Sequence, residues 1–321
     1  MKYLITGGAG FIGSNITFEL VKRGEQVRIL DNFSTGRREN IEPLRGQVEL
    51  VEGDIRDFWT VSEAMAEVDY VLHQAALPSV VRSVKNPLTS NAVNIDGTLN
   101  ILEAARQAGV KRVVYASSSS VYGESPTLPK IETMNLDPLS PYAVTKMACE
   151  GYCRAYHRLY GLETVGLRYF NIFGPRQDPN SQYSAVIPRF IKAVLVGQQP
   201  VIYGDGEQSR DFTFIGNAVS ANLKACTAPN APGKVFNIAC GERFTLNQTL
   251  ELIQQILGRV TTARYVNPRA GDIRHSLADI EAAKAELGYS VDFDFKSGLK
   301  ETTTWFANVF ADTTPVGGIH T

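Results

Sequence analysis

A tyrosine and a lysine four residues apart, Tyr142 and Lys146, could together carry out proton transfer. They open a helix-like stretch directly behind Pro141, and a spacing of four places the lysine over the tyrosine on one helix face. A neighbouring ammonium favours the phenolate form of tyrosine, which can then act as a general base near neutral pH. The pair alone marks many solvated helix faces, so its chemistry depends on what accompanies it.

A run of four serines, Ser117–Ser120, ends a strand-like segment before this pair. A serine hydroxyl at a strand end could hydrogen-bond the same substrate oxygen from which tyrosine takes a proton. We assign this role to Ser118. Ser119 and Ser120 remain alternatives, because four consecutive serines leave the register uncertain by a residue.

A glycine-rich turn near the start of the chain, Thr6–Gly13, could hold a pyrophosphate. It lies between a strand-like run and an amphipathic helix, where glycines allow close approach and the helix N-terminus offers N–H groups. The contacts predicted here are Gly7, Gly10, Phe11, Ile12 and Gly13. The second strand ends at Asp31, where a carboxylate binds the adenosine ribose and repels the extra phosphate of NADP. The predicted cofactor is therefore NAD, although Arg37 and Arg38 nearby keep NADP open.

The elements that position these groups follow from alternating strand-like and helix-like stretches. The strand-like runs are Tyr3–Thr6, Gln26–Leu30, Val48–Val51, Tyr70–His73, Arg112–Ala116, Val165–Phe170 and Val235–Ala239. The helix-like stretches between them include Gly13–Arg23, Val61–Ala66 and Gly97–Ala108. This alternation predicts an α/β fold with a parallel sheet and helices on both faces. Ligands bind such sheets at the carboxyl ends of strands, where Asp54, Ile55, Gln74, Ala75 and Ala76 stand.

The composition restricts the class of protein. The chain has 321 residues and a net charge of −1, with no basic stripe of the kind that nucleic-acid binding requires. No apolar stretch reaches the roughly 20 residues of a membrane span, and no leader precedes the first strand, so we expect a cytoplasmic protein. The four cysteines complete no zinc pattern, so no metal is predicted.

Together, Gly7–Gly13, Asp31, Ser117–Ser120 and Tyr142–Lys146 resemble the extended short-chain dehydrogenase/reductases, the NAD-dependent epimerases and dehydratases. The resemblance extends to about residue 309. It implies a Rossmann-type, doubly wound NAD domain over residues 1–170, to which a strand near 235–239 returns. It also implies a smaller mixed α/β nucleotide-sugar domain over 171–310, and a homodimer. Residues 311–321, small and without periodicity, are predicted to be a disordered tail.

The resemblance also implies residue roles beyond the motifs above. Further cofactor contacts are expected at Asn32, Ser34, Thr35, Gly36, Asn94, Tyr169 and Phe170. UDP-sugar contacts are expected at Tyr142 and Ser118–Ser120 and at Ser79, Asn171, Val186, Ile187, Tyr203, Arg210, Arg269, Asp272 and Ser276. Two of these, Arg210 and Arg269, suit a diphosphate because guanidinium forks match phosphate oxygens. Ala270 departs from the family pattern, which has Glu at this position.

Several reactions compete within this family. The dehydratases carry an Asp-Glu pair where Ser118–Ser120 stand, so dehydration is disfavoured. A UDP-glucuronate decarboxylase or epimerase stays open, because Arg82 could clamp a sugar carboxylate. A 4-epimerase needs only a base, a hydroxyl donor and NAD. Through Ser140–Lys146, Gly174–Pro179 and Arg274–Ser276 the chain resembles bacterial UDP-N-acetylglucosamine 4-epimerases.

The size of the side chain at position 276 affects which UDP-sugars the enzyme is expected to accept. The small Ser276 stands where the plain-hexose enzymes carry tyrosine, which predicts that both acetylated and plain UDP-hexoses are accepted. A silent NAD-binding scaffold is also conceivable, but it would not need the tyrosine, lysine and serines that this chain retains.

Overall fold

A computed structural model describes residues 1–179, 185–268 and 273–313, and its first half alternates strands and helices as predicted. The strands are β1 (Lys2–Thr6), β2 (Gln26–Asp31), β3 (Glu49–Glu52), β4 (Tyr70–His73), β5 (Arg112–Ser118) and β6 (Glu163–Tyr169). The helices are α1 (Phe11–Lys22), α2 (Phe58–Ala64), α3 (Val80–Lys85), α4 (Pro87–Asn91), α5 (Gly97–Ala108) and α6 (Pro141–Tyr160). A π-helical turn, Ala92–Asp96, joins α4 to α5.

The second half has shorter strands and larger loops. Its strands are β7 (Ile172–Phe173), β8 (Val201–Tyr203), β9 (Ser209–Arg210), β10 (Thr213–Phe214), β11 (Val235–Ile238), β12 (Phe244–Thr245) and β13 (Arg264–Val266). Its helices are α7 (Val186–Leu195), α8 (Ile215–Thr227), α9 (Leu246–Leu257), α10 (Glu281–Leu287) and α11 (Phe295–Thr313).

Seven strands form one parallel sheet in the order β11-β6-β5-β4-β1-β2-β3. This confirms the predicted α/β fold, including the return of a late strand to the sheet. Separate apolar clusters pack around the sheet, one containing Ile16 of α1 and Ala218 of α8, the other Val61 of α2 and Ile101 of α5. A fully buried valine or isoleucine side chain contributes about 1.5–3 kcal/mol, so the sheet is a rigid support for its carboxyl-end loops.

The C-terminal region is held together by three two-stranded sheets and a cluster of aromatic rings. The sheets pair β7 with β10, β9 with β12, and β8 with β13. Phe295 of α11 stacks on Phe212 and Phe244, with ring centroids 5.3 and 4.3 Å away, and contacts Phe173 of β7 edge-on. These rings hold β7 and β9 in place. The C-terminal region that contains these strands forms the second side of the cleft described below.

The observed bounds differ from the predicted ones at few points. The strands agree within two residues, and β5 continues through the first two serines to Ser118. The last helix runs to Thr313, past the predicted start of the tail at residue 311, and residues 314–321 lie outside the described part. The domain boundary after residue 170 falls between β6 and β7 and stays a prediction. Within the described ranges, no helix is both long and apolar enough to span a membrane.

Candidate active site

The turn between β1 and α1 is shaped for close contact with a ligand. Gly7 has a φ of +69°, and a Cβ at this position would lie 2.7 Å from the backbone nitrogen of Ala75. A Cβ at Gly13 would lie 2.2 Å from the carbonyl oxygen of Gly7. Among the described residues, no side chain caps the N-terminus of α1 at Gly10 and its first turn carries no acid, so its N–H groups suit an anion. The turn therefore fits the pyrophosphate of a dinucleotide.

Asp31 ends β2 at the position expected for the ribose contact. Its carboxylate accepts hydrogen bonds from the backbone N–H groups of Ala9, at 2.9 Å, and Phe33, at 2.8 Å. Burial raises the pKa of Asp31, while the bonds from Phe33 and Ala9 act to lower it. A Cβ at Gly36 would lie 2.8 Å from both carboxylate oxygens, so this glycine leaves the carboxylate room beside the cleft.

The two arginines that kept NADP open are both engaged with carboxylates. Arg38 donates to Glu52 at 2.6 Å, and its guanidinium lies 4.0 Å from the centroid of the Phe33 ring. Arg37 forms ion pairs of 3.5 Å with Glu39 and with Asp178 on the opposite side of the cleft. These pairs and the buried carboxylate of Asp31 favour NAD over NADP.

We expect Asp31→Ala to weaken NAD binding about tenfold or more, because a charge-assisted hydrogen bond is lost. The variant should also bind NAD and NADP with more similar affinities, because the charge that repels the extra phosphate of NADP is lost. Equilibrium titration with the two dinucleotides measures both effects. Asp31→Asn, which removes only the charge, should bring the affinities for NAD and NADP similarly close together. An unchanged preference in both variants would contradict the role of Asp31.

A single cleft of about 770 Å³ brings most of the predicted cofactor residues together. Those that line it are Gly7, Gly10, Phe11, Ile12, Gly13, Asp31, Asn32, Ser34, Thr35, Gly36, Asp54, Ile55, Gln74, Ala75, Ala76, Tyr142, Lys146 and Tyr169. Gly53 and Ala116 also line it and were missed, although the strand-end rule applied to β3 and β5 would have found both.

Two predicted cofactor contacts, Asn94 and Phe170, lie outside the lining of this cleft. Asn94 is buried behind it, where its side chain accepts from the N–H of Leu77 at 2.8 Å and donates to Thr145 at 3.0 Å. Phe170 continues the pairing of β6 with β11, and side chains alternate along an extended segment. Tyr169 therefore faces the cleft while Phe170 packs in the core against Tyr122.

The predicted catalytic groups meet at the carboxyl end of β5. Helix α6 begins at Pro141, and the Ser140 hydroxyl caps it by accepting from the N–H of Ala143 at 3.2 Å. The Lys146 Nζ lies 5.9 Å from the centroid of the Tyr142 ring and donates to the carbonyl oxygen of Ala116 at 2.7 Å. The ammonium is thus buried beside the phenol, the arrangement that supports a general base.

Two of the four serines line the cleft and two do not. Ser117 and Ser118 line the cleft, while Ser119 and Ser120 lie outside the described lining in a 3₁₀ turn. The Ser118 Oγ accepts from the N–H of Ser120 at 3.2 Å and from its hydroxyl at 2.9 Å. With its acceptor sites occupied in this way, the Ser118 hydroxyl can donate its own proton to a ligand in the cleft.

Two of the predicted substrate contacts adopt unusual backbone conformations. Ser79 has a φ of 109° and caps α3, its hydroxyl accepting from the N–H of Arg82. Asn171 has a φ of 40°, and its Nδ2 donates to the carbonyl oxygen of Asp211 at 2.9 Å. Non-glycine residues in sparsely populated conformations cost about 1–3 kcal/mol and cluster at functional sites. Both were predicted as substrate contacts, and both line the cleft.

The remaining predicted substrate contacts belong to the C-terminal region. Val186 and Ile187 begin α7, and Ile187 is buried beneath it. Tyr203 ends β8. In the described part of the chain, these three residues lie outside the lining of the cleft, and so do Arg210 and Ser276. Arg269 and Asp272, together with residues 180–184, lie outside the described part of the chain.

Hydrogen bonds join the segment that contains Arg210 to the segment that contains Ser276. Arg210 donates to the carbonyl oxygens of Ser209, at 3.0 Å, and Arg274, at 3.1 Å. The N–H of Ser276 donates to Ser209 at 3.0 Å, and His275 bonds the Ser209 hydroxyl at 2.8 Å. The segment that carries Ser276 thus runs alongside the strand that carries Arg210.

A buried carboxylate anchors this second side of the cleft. Asp211 accepts from the backbone N–H groups of Cys240, Gly241 and Ala278 at 2.9, 3.1 and 3.2 Å. Burial raises the pKa of Asp211 to about 7 against these hydrogen bonds. Asp211 thereby ties β9 to the end of β11 and to the segment after Ser276.

A family model described as the NAD dependent epimerase/dehydratase family matches residues 3–239. The chain belongs to this family. Its cofactor is NAD, in agreement with the glycine turn and Asp31.

Several known proteins are similar to this chain over nearly its whole length. The UDP-glucose 4-epimerase of Mycolicibacterium smegmatis is 37% identical over 313 residues, covering 96% of this chain and 99% of the relative. The UDP-N-acetylglucosamine 4-epimerase of Methanobrevibacter ruminantium, solved with UDP-N-acetylmuramic acid, is 43% identical with a TM-score of 0.92, covering 96% and 98%. The UDP-glucuronic acid 4-epimerase of Bacillus cereus, solved with UDP-glucuronic acid and NAD, is 32% identical with a TM-score of 0.89, covering 96% and 100%.

Proposed function

We propose that this chain, a UDP-sugar 4-epimerase of the NAD dependent epimerase/dehydratase family, acts on UDP-N-acetylglucosamine and UDP-N-acetylgalactosamine. It accepts UDP-glucose and UDP-galactose as well. The observation that carries the reaction is the convergence of Tyr142, Lys146 and Ser118 in one cleft with the dinucleotide turn. The identity of 43% to an enzyme named for UDP-N-acetylglucosamine supports the acetylated substrates.

Each side chain has one task in this proposal. Tyr142 takes the proton from the sugar O4 and returns it, and Lys146 stabilises the phenolate. Ser118 donates a hydrogen bond to the same oxygen, since its acceptor sites are used by Ser120. NAD, held by the dinucleotide turn and by Asp31, would supply the hydride acceptor and donor at the sugar carbon.

The segment Ser118–Ser120 also supports epimerisation over dehydration. Ser118 ends β5, Ser119 and Ser120 begin a 3₁₀ turn, and none of the three is a carboxylate of the kind that a dehydratase would need as acid and base. A 4-keto sugar formed here is therefore returned to the alcohol and loses no water.

The nucleotide end of the substrate is assigned to the second side of the cleft. Asn171 lines the cleft, and Arg210 lies on β9, which Asp211 ties to the rest of this side. We assign the diphosphate to Arg210 and Arg269, with Asn171 assisting, because guanidinium groups bind phosphate oxygens through two parallel hydrogen bonds.

The decisive assay offers purified enzyme three substrates separately, UDP-N-acetylglucosamine, UDP-glucose and UDP-glucuronate, with the products resolved by chromatography. We expect the galacto epimer of the first two. Turnover of UDP-glucuronate alone would overturn the substrate assignment, and the appearance of a pentose product would indicate decarboxylation.

UDP-glucuronate is a second candidate because of Arg82. This residue lines the cleft from α3, and the next residue, Ser83, accepts from the N–H of Tyr142 at 3.0 Å. The cationic side chain of Arg82 thus lies on α3, which is hydrogen-bonded to α6, and there it could contact a carboxylate on the sugar.

If uronates are substrates, Arg82→Gln should lower kcat/KM for UDP-glucuronate about tenfold or more, because a hydrogen bond to a charged group is lost. The kcat/KM for UDP-N-acetylglucosamine should be unchanged. Lys85→Gln, exposed on the same helix, serves as the matched control. Equal losses on both substrates would assign Arg82 a role unrelated to the sugar carboxylate.

We also propose a homodimer formed through α6. Four of its apolar or aromatic side chains, Val144, Tyr152, Leu159 and Tyr160, are exposed at spacings that place the first three on one face. Burying such a stripe against a second copy removes apolar area from water. Light scattering in solution measures the molar mass that decides it.

A further inference from the structure

We propose that Ser117 is a positioning residue: its hydrogen bond to Glu150 fixes the distance between the strand end that carries Ser118 and the helix that carries Tyr142. This proposal rests on the function proposed above, because it takes Ser118 and Tyr142 as the groups that act on the sugar oxygen.

The strand and the helix are joined at two successive helical turns. The Ser117 hydroxyl donates to the Glu150 carboxylate at 2.6 Å, and both side chains are almost fully buried. Lys146, one turn earlier on α6, donates to the carbonyl oxygen of Ala116 at 2.7 Å. Tyr142, Lys146 and Glu150 thus occupy one helix face at spacings of four, and two of them hold consecutive residues of β5.

The carboxylate that receives the Ser117 hydroxyl is itself held firmly. Arg168, opposite Ser117 on the neighbouring strand β6, donates to both Glu150 oxygens, at 2.8 and 2.7 Å. Its third nitrogen donates to the Tyr122 hydroxyl at 2.8 Å, which in turn donates to Asn237 of β11 at 2.7 Å. Buried polar networks whose members are all paired are rigid, so Glu150 gives Ser117 a fixed partner.

The position of Ser118 depends on this contact because it is the next residue and the last of β5. Among the described residues, the side-chain hydrogen bonds between the end of β5 and α6 are those of Ser117 with Glu150 and of Lys146 with Ala116, so loss of the Ser117 hydroxyl removes one of the two. Proton transfer and hydrogen bonding to one oxygen require both side chains at reacting distance, and small misplacements lower the rate strongly. The ion pair between Glu150 and Arg168 does not need Ser117, so the fold survives its removal.

The test is Ser117→Ala, which deletes the hydroxyl and leaves the buried ion pair intact. We expect kcat to fall about tenfold, with KM, the affinity for UDP and the melting temperature little changed. Ser117→Thr, which keeps a hydroxyl, should restore most of the rate. The matched control is Ser90→Ala, a buried serine outside the cleft whose hydroxyl donates to the Asn86 carbonyl at 3.1 Å, and it should leave kcat unchanged.

Wild-type kcat in Ser117→Ala would overturn the proposal, as would a slow Ser117→Thr or a loss of UDP affinity parallel to the loss of rate. Tyr142→Phe, assayed alongside, separates this outcome from a failure of the proposed function. If Tyr142→Phe is inactive and Ser117→Ala is normal, only the positioning role is wrong. If Tyr142→Phe is normal, the assignment of the reacting groups is wrong.

Discussion

Turnover of UDP-sugars should fall by a factor of about 100 or more in Tyr142→Phe, the usual scale for removal of a general base. The phenol is the group that Lys146 supports. Ser118 accepts both of its side-chain hydrogen bonds in the described part of the chain, so it is placed to donate to the sugar oxygen and not to take its proton. The affinity for NAD should persist because the ring still lines the cleft. Steady-state rates and equilibrium titration with NAD measure the two effects.

Tyr152→Phe is the matched control for this experiment. Tyr152 lies on the same helix, outside the described lining of the cleft. It belongs to the proposed dimer face, but the variant keeps its ring, so loss of the hydroxyl should not affect turnover. Near-normal rates in Tyr142→Phe would refute the assignment of the base.

Ser276→Tyr should abolish activity on the acetylated UDP-hexoses and spare the plain ones. A 4-epimerase must let the keto sugar turn between two orientations, and an N-acetyl group is several heavy atoms larger than the hydroxyl it replaces. The half-buried Ser276 is fixed by its N–H bond to Ser209, so a bulky side chain there cannot move away with its backbone. Separate assays with UDP-N-acetylglucosamine and UDP-glucose measure the split.

Ser276→Ala separates size from hydrogen bonding. It keeps the room and removes the hydroxyl, so we expect both classes of substrate to be retained. If Ser276→Tyr loses both activities in proportion, or keeps both, another wall of the pocket sets the size limit and the substrate becomes an unspecified UDP-hexose.

Much of the fold was predictable because a parallel sheet buried on both faces leaves a strong periodic signal. The apolar runs ended within two residues of the observed strands, and Val235–Ala239 was correctly returned to the sheet. The strand order was not predicted, since the pairing of β4 with β1 depends on contacts between distant segments.

The site was predictable where local chemistry restricts residue type. Gly7 and Gly13 show this, because a Cβ at either would collide with backbone. Phe170 shows the opposite case, because the motif that contains it does not reveal which of two neighbours faces the cleft. The contact between Ser117 and Glu150 could not be predicted from the sequence either, because it depends on how α6 packs against β5.

The place of β11 at the sheet edge has a consequence for synthesis on the ribosome. The residues of the dinucleotide turn, Asp31 and the β4 loop all emerge early, so the half of the cleft that receives adenosine can form first. β6 pairs with β5 on one side, but its other side stays an open edge until Val235–Ile238 has been made. Open edges recruit other strands, so the nascent chain is exposed to mispairing at β6 during the interval between these two segments.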